Sequence, residues 1–152
     1  FGSRDDLILA GRPLGLELQD LQPTIQGRHR SGRAGDGSIL AVLATDAPLL
    51  PGQLKRLARR MSLGLARTGG LAAHSSGDLF LAFSSASPHI NAQGLELWAV
   101  LDSEQIDPLL KAAAYATEEA IINALCAAED MSGYAGNHVF ALPYERFLSS
   151  GL

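Results

Sequence analysis

Residues Ile39-Leu40-Ala41-Val42-Leu43-Ala44 are apolar at every position, with no alternation between polar and apolar side chains. That pattern predicts a strand covered on both faces, as in a sheet with further layers on either side. The strand is entered through Gly35-Asp36-Gly37-Ser38 and left through Asp46 and Pro48, so small turn-forming residues bound it. The arrangement recurs downstream, where Ser75-Ser76-Gly77-Asp78 leads into Leu79-Phe80-Leu81-Ala82-Phe83-Ser84. Two such strands can lie side by side in the same direction if a helix returns the chain between them.

The intervening segment has the pattern of that helix. Asp46 and Pro48 carry helix-start chemistry, reinforced by Pro51. Leu54, Leu57, Ala58, Met61 and Leu65 fall on one face at helical spacing, with Lys55, Arg56, Arg59 and Arg60 away from it. The basic residues read as a solvated face or a subunit contact. Arg67 suits the negative helix terminus and Gly69-Gly70 stops the helix. A second helix opens at Asp107-Pro108, with Leu110, Ala113, Thr117, Ala120, Ile121, Ala124, Leu125 and Ala128 as its stripe and Gly133 as its end. Its many alanines predict close packing.

Elsewhere the signals are shorter. Leu7-Ile8-Leu9-Ala10 reads as a short strand and Leu14, Leu16, Leu18 as an alternating one, separated by Gly11-Arg12-Pro13. Residues 22–37 have a linker composition, and their Arg28, His29, Arg30, Arg33 cluster reads as a solvated loop. Residues 95–101 read as another short strand or a helical turn, and the apolar run Val139 to Leu142 precedes a weak tail.

Composition narrows the function classes. The chain has 152 residues, enough for one domain with a real core. Only 18% of them are charged, and with so many Ala, Gly and Leu this predicts an outer face partly covered by a partner. A net charge of -4 argues against a general nucleic-acid binder. No apolar run approaches the roughly 18 residues of a membrane span. Cys126 is the single cysteine, which excludes an internal disulfide framework and a cysteine zinc cluster, and its Ala-rich setting predicts a small buried hydrophobe. Neither His-x-x-x-His nor an acidic ligand set occurs, so no metal or cofactor is expected. Phe1 stands where an initiator Met would, and the expectation is a piece of a longer protein.

The chemistry concentrates at the two strand openings. Ser38 follows Gly37, and glycine gives the backbone access to conformations other residues resist. Attack of the Ser38 hydroxyl on the Gly37 carbonyl would turn that peptide into an ester. Hydrolysis would then leave Ser38 as a new N-terminus, a nucleophile carrying its own amine. The plain alternative is an ordinary turn before a strand. Ser76 opens the second strand in a matching setting, and alternation along an extended chain puts Asp78 on its side. The spacing therefore predicts a relay in which Asp78 orients Ser76 and Ser76 assists Ser38, with Asp78 as a simple turn cap the alternative. His74, His89 and His138 read as surface or loop residues, and Trp98 as a packing residue rather than a substrate platform.

Several blocks carry a family resemblance. Gly35-Asp36-Gly37-Ser38, Ala44-Thr45-Asp46-Ala47-Pro48-Leu49-Leu50, Gln53 to Arg60, Ser76 to Ser84 and Thr117 to Leu125 together resemble the L-aminopeptidase/D-esterase and β-peptidyl aminopeptidase family, over about residues 35–142. These are self-processing N-terminal-nucleophile hydrolases. The resemblance implies an α/β fold, a four-layer αββα sandwich of which this chain is the C-terminal part. It implies cleavage between Gly37 and Ser38. Residues 1–37 would then close the α subunit and carry the processing linker, and residues 38–152 would form the β subunit.

The resemblance also makes Ser38 the nucleophile, with Ser76 and Asp78 as its supports. The family's acidic position is usually Glu, and Asp78 is shorter. The oxyanion and amine-binding groups of the family lie in the α portion, outside this chain. The implied partners are that α portion, further αβ units in a homotetramer, and a small peptide, amide or ester substrate, with no nucleic acid or membrane. An acetyltransferase of the ornithine acetyltransferase type shares the fold but uses threonine at the cleaved position, where this chain has Ser38. An uncleaved, non-catalytic binding subunit is the alternative from another class.

Overall fold

A computed structural model of the chain describes residues 4–25 and 37–148. The Arg28, His29, Arg30, Arg33 cluster and most of the linker lie outside the described residues. The elements in chain order are α1 (Leu14–Glu17), β1 (Leu40–Thr45), α2 (Pro51–Arg67), β2 (Leu79–Ser84), β3 (His89–Ile90), β4 (Glu96–Leu97), α3 (Asp107–Cys126), β5 (Met131–Ser132), β6 (His138–Val139) and α4 (Glu145–Leu148). None of the described helices is long and apolar enough to cross a membrane.

The centre of the fold is the unit β1-α2-β2. Its two strands pair in parallel from Leu40↔Leu79 to Thr45↔Ser84, and α2 is the crossover that parallel pairing requires. The helix does not start at Asp46 or Pro48. Thr45 Oγ1 accepts the Ala47 N–H at 3.1 Å, and the chain stays extended through Leu50, at φ -71° and ψ 157°. Proline disfavours helical geometry at the residue before it, so Pro51 both holds Leu50 extended and begins the helix. Gln53 does the capping: its side-chain oxygen accepts the Leu50 N–H at 2.8 Å and its amide donates to the Leu101 carbonyl at 2.8 Å. At the far end the Gly70 N–H returns to the Leu65 carbonyl and Gly69 takes φ +91°, so the Gly-Gly stop acts as the sequence predicts.

Helices α2 and α3 pack on one face of the strand pair. Leu57, Ile106, Leu110 and Ala113 form the buried cluster, and Leu43 and Ala82 meet it from the sheet. The two helices touch at Gly64. A β-carbon there would overlap the Ala114 carbonyl oxygen and come within 2.8 Å of the Thr117 Cβ. Thr117 is buried, and its hydroxyl donates back to the Ala113 carbonyl at 2.8 Å. Of the predicted α3 stripe, Leu110, Ala113, Thr117 and Ile121 are buried, whereas Ala120 and Ala124 stay exposed. The helix ends at Cys126, well before Gly133. Asp130 then accepts the Ala141 N–H at 2.7 Å, holding the chain in the extended β5–β6 pair instead of a further helical turn. Cys126 is half-buried and unpaired by any disulfide.

The N-terminal part departs from its pattern. Leu9 forms only an isolated bridge to Arg12 around the Ala10-Gly11 turn. The alternation of Leu14, Leu16 and Leu18 predicts a strand, and the chain forms the helical turn α1. Leu14 and Leu18 are four apart, so both can enter one helical face, and both are buried with Phe147, while Leu16 is 59% exposed. The Arg4 guanidinium fastens this turn by donating to the Leu18 carbonyl. Residues 95–101 form a strand only at Glu96–Leu97, paired with His89–Ile90.

The second face of the strand pair is open among the described residues. Leu40, Val42, Leu79, Leu81 and Phe83 all point there, with Leu40 71% and Phe83 47% exposed. Such a contiguous apolar sheet face is a surface for another layer.

The Gly64 contact gives a stability prediction. Alanine gains about 1 kcal/mol of helix propensity over glycine, but overpacking costs about 1–3 kcal/mol and here the obstacle is main chain. Gly64→Ala in the full-length protein is expected to lower stability by about 1 kcal/mol net, read from the urea midpoint. An unchanged midpoint would refute the close approach.

Candidate active site

Parallel pairing puts the N-terminal ends of β1 and β2 together, so the Gly37-Ser38 turn and the Ser76-Gly77-Asp78 turn meet. The contacts are short and specific. The Leu79 N–H donates to the Ile39 carbonyl at 2.9 Å. The Ile39 N–H donates to Asp78 Oδ1 at 2.9 Å. The Gly77 N–H donates to Ser38 Oγ at 2.9 Å. Gly37, just before the serine, holds φ +150°, a backbone conformation in which a side chain is strained. The second turn is shaped by the Ser76 N–H bonding to the Ala73 carbonyl at 2.8 Å, after Ala72 at φ +49°.

Exposure differs across the cluster. Ser38 and Gly77 are exposed, whereas Ser76 and Asp78 are half-buried. The Ser76 hydroxyl itself is out of reach of solvent and has no hydrogen-bond partner among the described residues. Buried hydroxyls are usually paired, and this orphan sets Ser76 apart from the other groups of the cluster.

Ser38, Ser76 and Asp78 are thus brought to one end of one strand pair, as their spacing predicts. The hydrogen bonds differ from the expected relay. Asp78 holds a backbone amide of β1, and Ser38 receives a backbone amide of the second turn. Sequence reasoning misses the two amides, Gly77 and Ile39, that complete the cluster. The signal was present in the numbering, since Ser38/Gly77 and Ile39/Asp78 share one 39-residue offset, but only a known register turns that offset into contact.

The other candidate residues lie apart from these bonds. His74 is exposed in the turn before Ser76, and His89 is exposed in β3. His138 bonds Ser132 Oγ through Nδ1 at 3.0 Å and meets the Phe140 ring edge-on. Trp98 is 58% exposed and lines a hollow with Pro48, Leu50 and Ser84, at the opposite end of the strands from Ser38. An apolar groove of about 490 Å³ starts at Ile39, directly beside the serine, and runs between β1 and α3 along Leu40, Met61, Ala120 and Ile121.

Comparison with known proteins places this chain in a family. The model of peptidase family S58 matches residues 1–139. The chain belongs to peptidase family S58. Within that family it is 40% identical over 153 residues to the β-peptidyl aminopeptidase BapA of Sphingosinicella microcystinivorans, covering 95% of this chain and 39% of that protein. Among solved structures it is similar to the PH0078 protein of Pyrococcus horikoshii OT3, with a TM-score of 0.78 and 45% identity, covering 98% of this chain and 39% of that one. It is also similar to the L-aminopeptidase D-Ala-esterase/amidase of Ochrobactrum anthropi, with a TM-score of 0.79 and 38% identity, over 98% of this chain and 40% of that one. That structure is described as a prototype for the serine aminopeptidases and a variant of the Ntn hydrolase fold. The chain spans about two fifths of the length of these relatives.

The orphan hydroxyl in this S58 chain gives a prediction about stability. An unsatisfied buried polar group costs about 1–3 kcal/mol. Ser76→Ala is therefore expected to leave the thermal midpoint of the full-length protein unchanged or higher. A clear drop would mean that the hydroxyl is bonded by a part of the protein outside the described residues.

Proposed function

We propose that the full protein is a self-processing serine aminopeptidase that hydrolyses N-terminal amide or ester bonds of peptides through an acyl-enzyme on Ser38. The observation that carries this reading is the seating of the Ser38 hydroxyl, exposed and held by the Gly77 N–H, immediately after a glycine at φ +150° in an S58 chain. Processing comes first. Ser38 Oγ attacks the Gly37 carbonyl carbon, the Gly37–Ser38 amide bond breaks, and the acyl group moves to oxygen as an ester. Water hydrolyses the ester, releasing a Gly37 carboxylate and leaving Ser38 with a free α-amine.

Catalysis then repeats the attack on a substrate. The α-amine, which titrates near pH 7.7–8.0 in model peptides, takes the hydroxyl proton as Oγ attacks the substrate carbonyl. The leaving amine or alcohol departs with a proton and an ester on Ser38 remains. Water resolves it. Ser76 and Asp78 support the nucleophile. The donors that stabilise the oxyanion, usually a large contribution, come from the rest of the protein. Residues 1–37 end one subunit and residues 38–152 form the other, and the two stay associated.

The open apolar face of β1 and β2 supports a second sheet against this one, which gives the four-layer αββα sandwich. Tetramers of αβ units complete the assembly. The names of the relatives, a β-peptidyl aminopeptidase and an L-aminopeptidase D-Ala-esterase/amidase, support β-peptides or D-residue esters and amides as the substrate class.

Denaturing mass spectrometry of the purified full-length protein tests the first step: a fragment beginning Ser-Ile-Leu-Ala is expected, and Ser38→Ala should give one uncut chain. The variant should lose at least about 10³-fold in kcat/KM on an activated amide, the scale seen when a covalent nucleophile is removed. A wild-type chain that stays whole, or full hydrolysis by Ser38→Ala, would overturn the reading.

A further inference from the structure

The ladder between β1 and β2 stops in an unusual way, and the way it stops bears on the Gly37–Ser38 bond. From one end of the pair to the other, N–H groups of the second strand reach carbonyls forty positions earlier: Leu79 to Ile39 at 2.9 Å and Ser85 to Thr45 at 2.8 Å. Continued by one more step in the evenly spaced parallel pattern, the Gly77 N–H would bond the Gly37 carbonyl. The Ile39 N–H would bond the Gly77 carbonyl. Neither regular bond is the one made. Asp78 Oδ1 takes the Ile39 N–H, and Ser38 Oγ takes the Gly77 N–H.

Two side chains therefore substitute for two main-chain partners at the last rung. The consequence for Gly37 is direct. Its carbonyl is the group that Ser38 must attack, and a ladder bond would hold it in the plane of the sheet. The regular ladder ends before Gly37, whose own φ is +150°. At the same time Ile39 is fixed on both sides, its carbonyl by Leu79 and its amide by Asp78, which anchors the main chain immediately after the serine. A β-carbon on Gly77 would meet Ser38 Oγ at an ordinary contact distance of 3.5 Å, so the role of Gly77 rests on its N–H and not on its missing side chain.

We propose that Asp78 is a positioning residue for self-cleavage, which ends the β1–β2 ladder by accepting the Ile39 N–H and so frees the Gly37 carbonyl while Gly77 holds the Ser38 hydroxyl. The inference rests on the reading of Ser38 as the processing nucleophile. It assigns Asp78 a role exerted through an acceptor oxygen on main chain, not through negative charge passed along Ser76. A neutral side chain of the same shape with an acceptor oxygen can then do much of the work. Asparagine is such a side chain.

The test is the first-order rate of cleavage of full-length wild type, Asp78→Asn and Asp78→Ala, followed by intact mass after synthesis. Asp78→Asn is expected to cleave at least about 10-fold faster than Asp78→Ala, because misplacing reacting groups by an ångström can cost about 10²-fold. Amide exchange in the uncut Ser38→Ala background reads the clamp itself. The segment containing Ile39 should stay protected when Asp78 is retained and in Asp78→Asn, and lose protection in Asp78→Ala, while the α2 and α3 amides report that each variant is folded. Equal rates for Asp78→Asn and Asp78→Ala, both slow, would show that charge is what matters and overturn the proposal. So would an Asp78→Ala chain that cleaves at the wild-type rate. A wild-type chain that is never cut would instead remove the reading on which the proposal stands.

Discussion

The parallel register of β1 against β2 is the constraint on which the rest depends. Parallel strands cannot be joined by a tight turn, so the chain must use α2 to return to the starting end. That return brings residues 39 positions apart into hydrogen-bond distance. A slip of one residue would exchange the two faces of a strand. Leu43 and Ala82 would leave the helix layer, and Ile39 would no longer face Asp78.

The helices secure that register from one side only. Leu57, Ile106, Leu110 and Ala113 form a close seam with the inner residues of the sheet, and Gly64 lets α2 and α3 approach to main-chain contact. The outer face is different. It displays Leu40, Val42, Leu79, Leu81 and Phe83 together, a larger apolar patch than an isolated layer would leave uncovered. The unbroken apolar run at residues 39–44 predicts cover on both faces, and one of those covers lies among the described residues. The placement of Ser38 at the rim between the two faces means that any second layer would also wall the site.

Much of this was legible because the signals were local. The apolar strands, the Gly-Gly stop after α2 and the matching serine turns at the two strand openings follow from turn residues and from period. The failures share a cause. Leu14, Leu16 and Leu18 fit a strand, but Leu14 and Leu18 fit a helix equally well, and only burial against Phe147 separates the two. Gly133 is a plausible helix stop, yet the chain leaves the helix earlier because Asp130 bonds Ala141. Asp46 resembles a cap, but Pro51 sets the start. Each depended on a partner distant in sequence or on a competing local rule.

By itself the sequence determined the strands and helices of the central unit and the family, and it singled out Ser38, Ser76 and Asp78 as the side chains to weigh together. These are written in residue type and spacing, which local sterics and periodic burial convert directly into structure. Tertiary structure decided which atoms those side chains hold. Whether Asp78 reaches Ser76 or the Ile39 amide depends on the alignment of two strands to within one residue. That alignment is fixed by the packing of α2 and α3 against the sheet, a collective property that no short stretch of sequence contains.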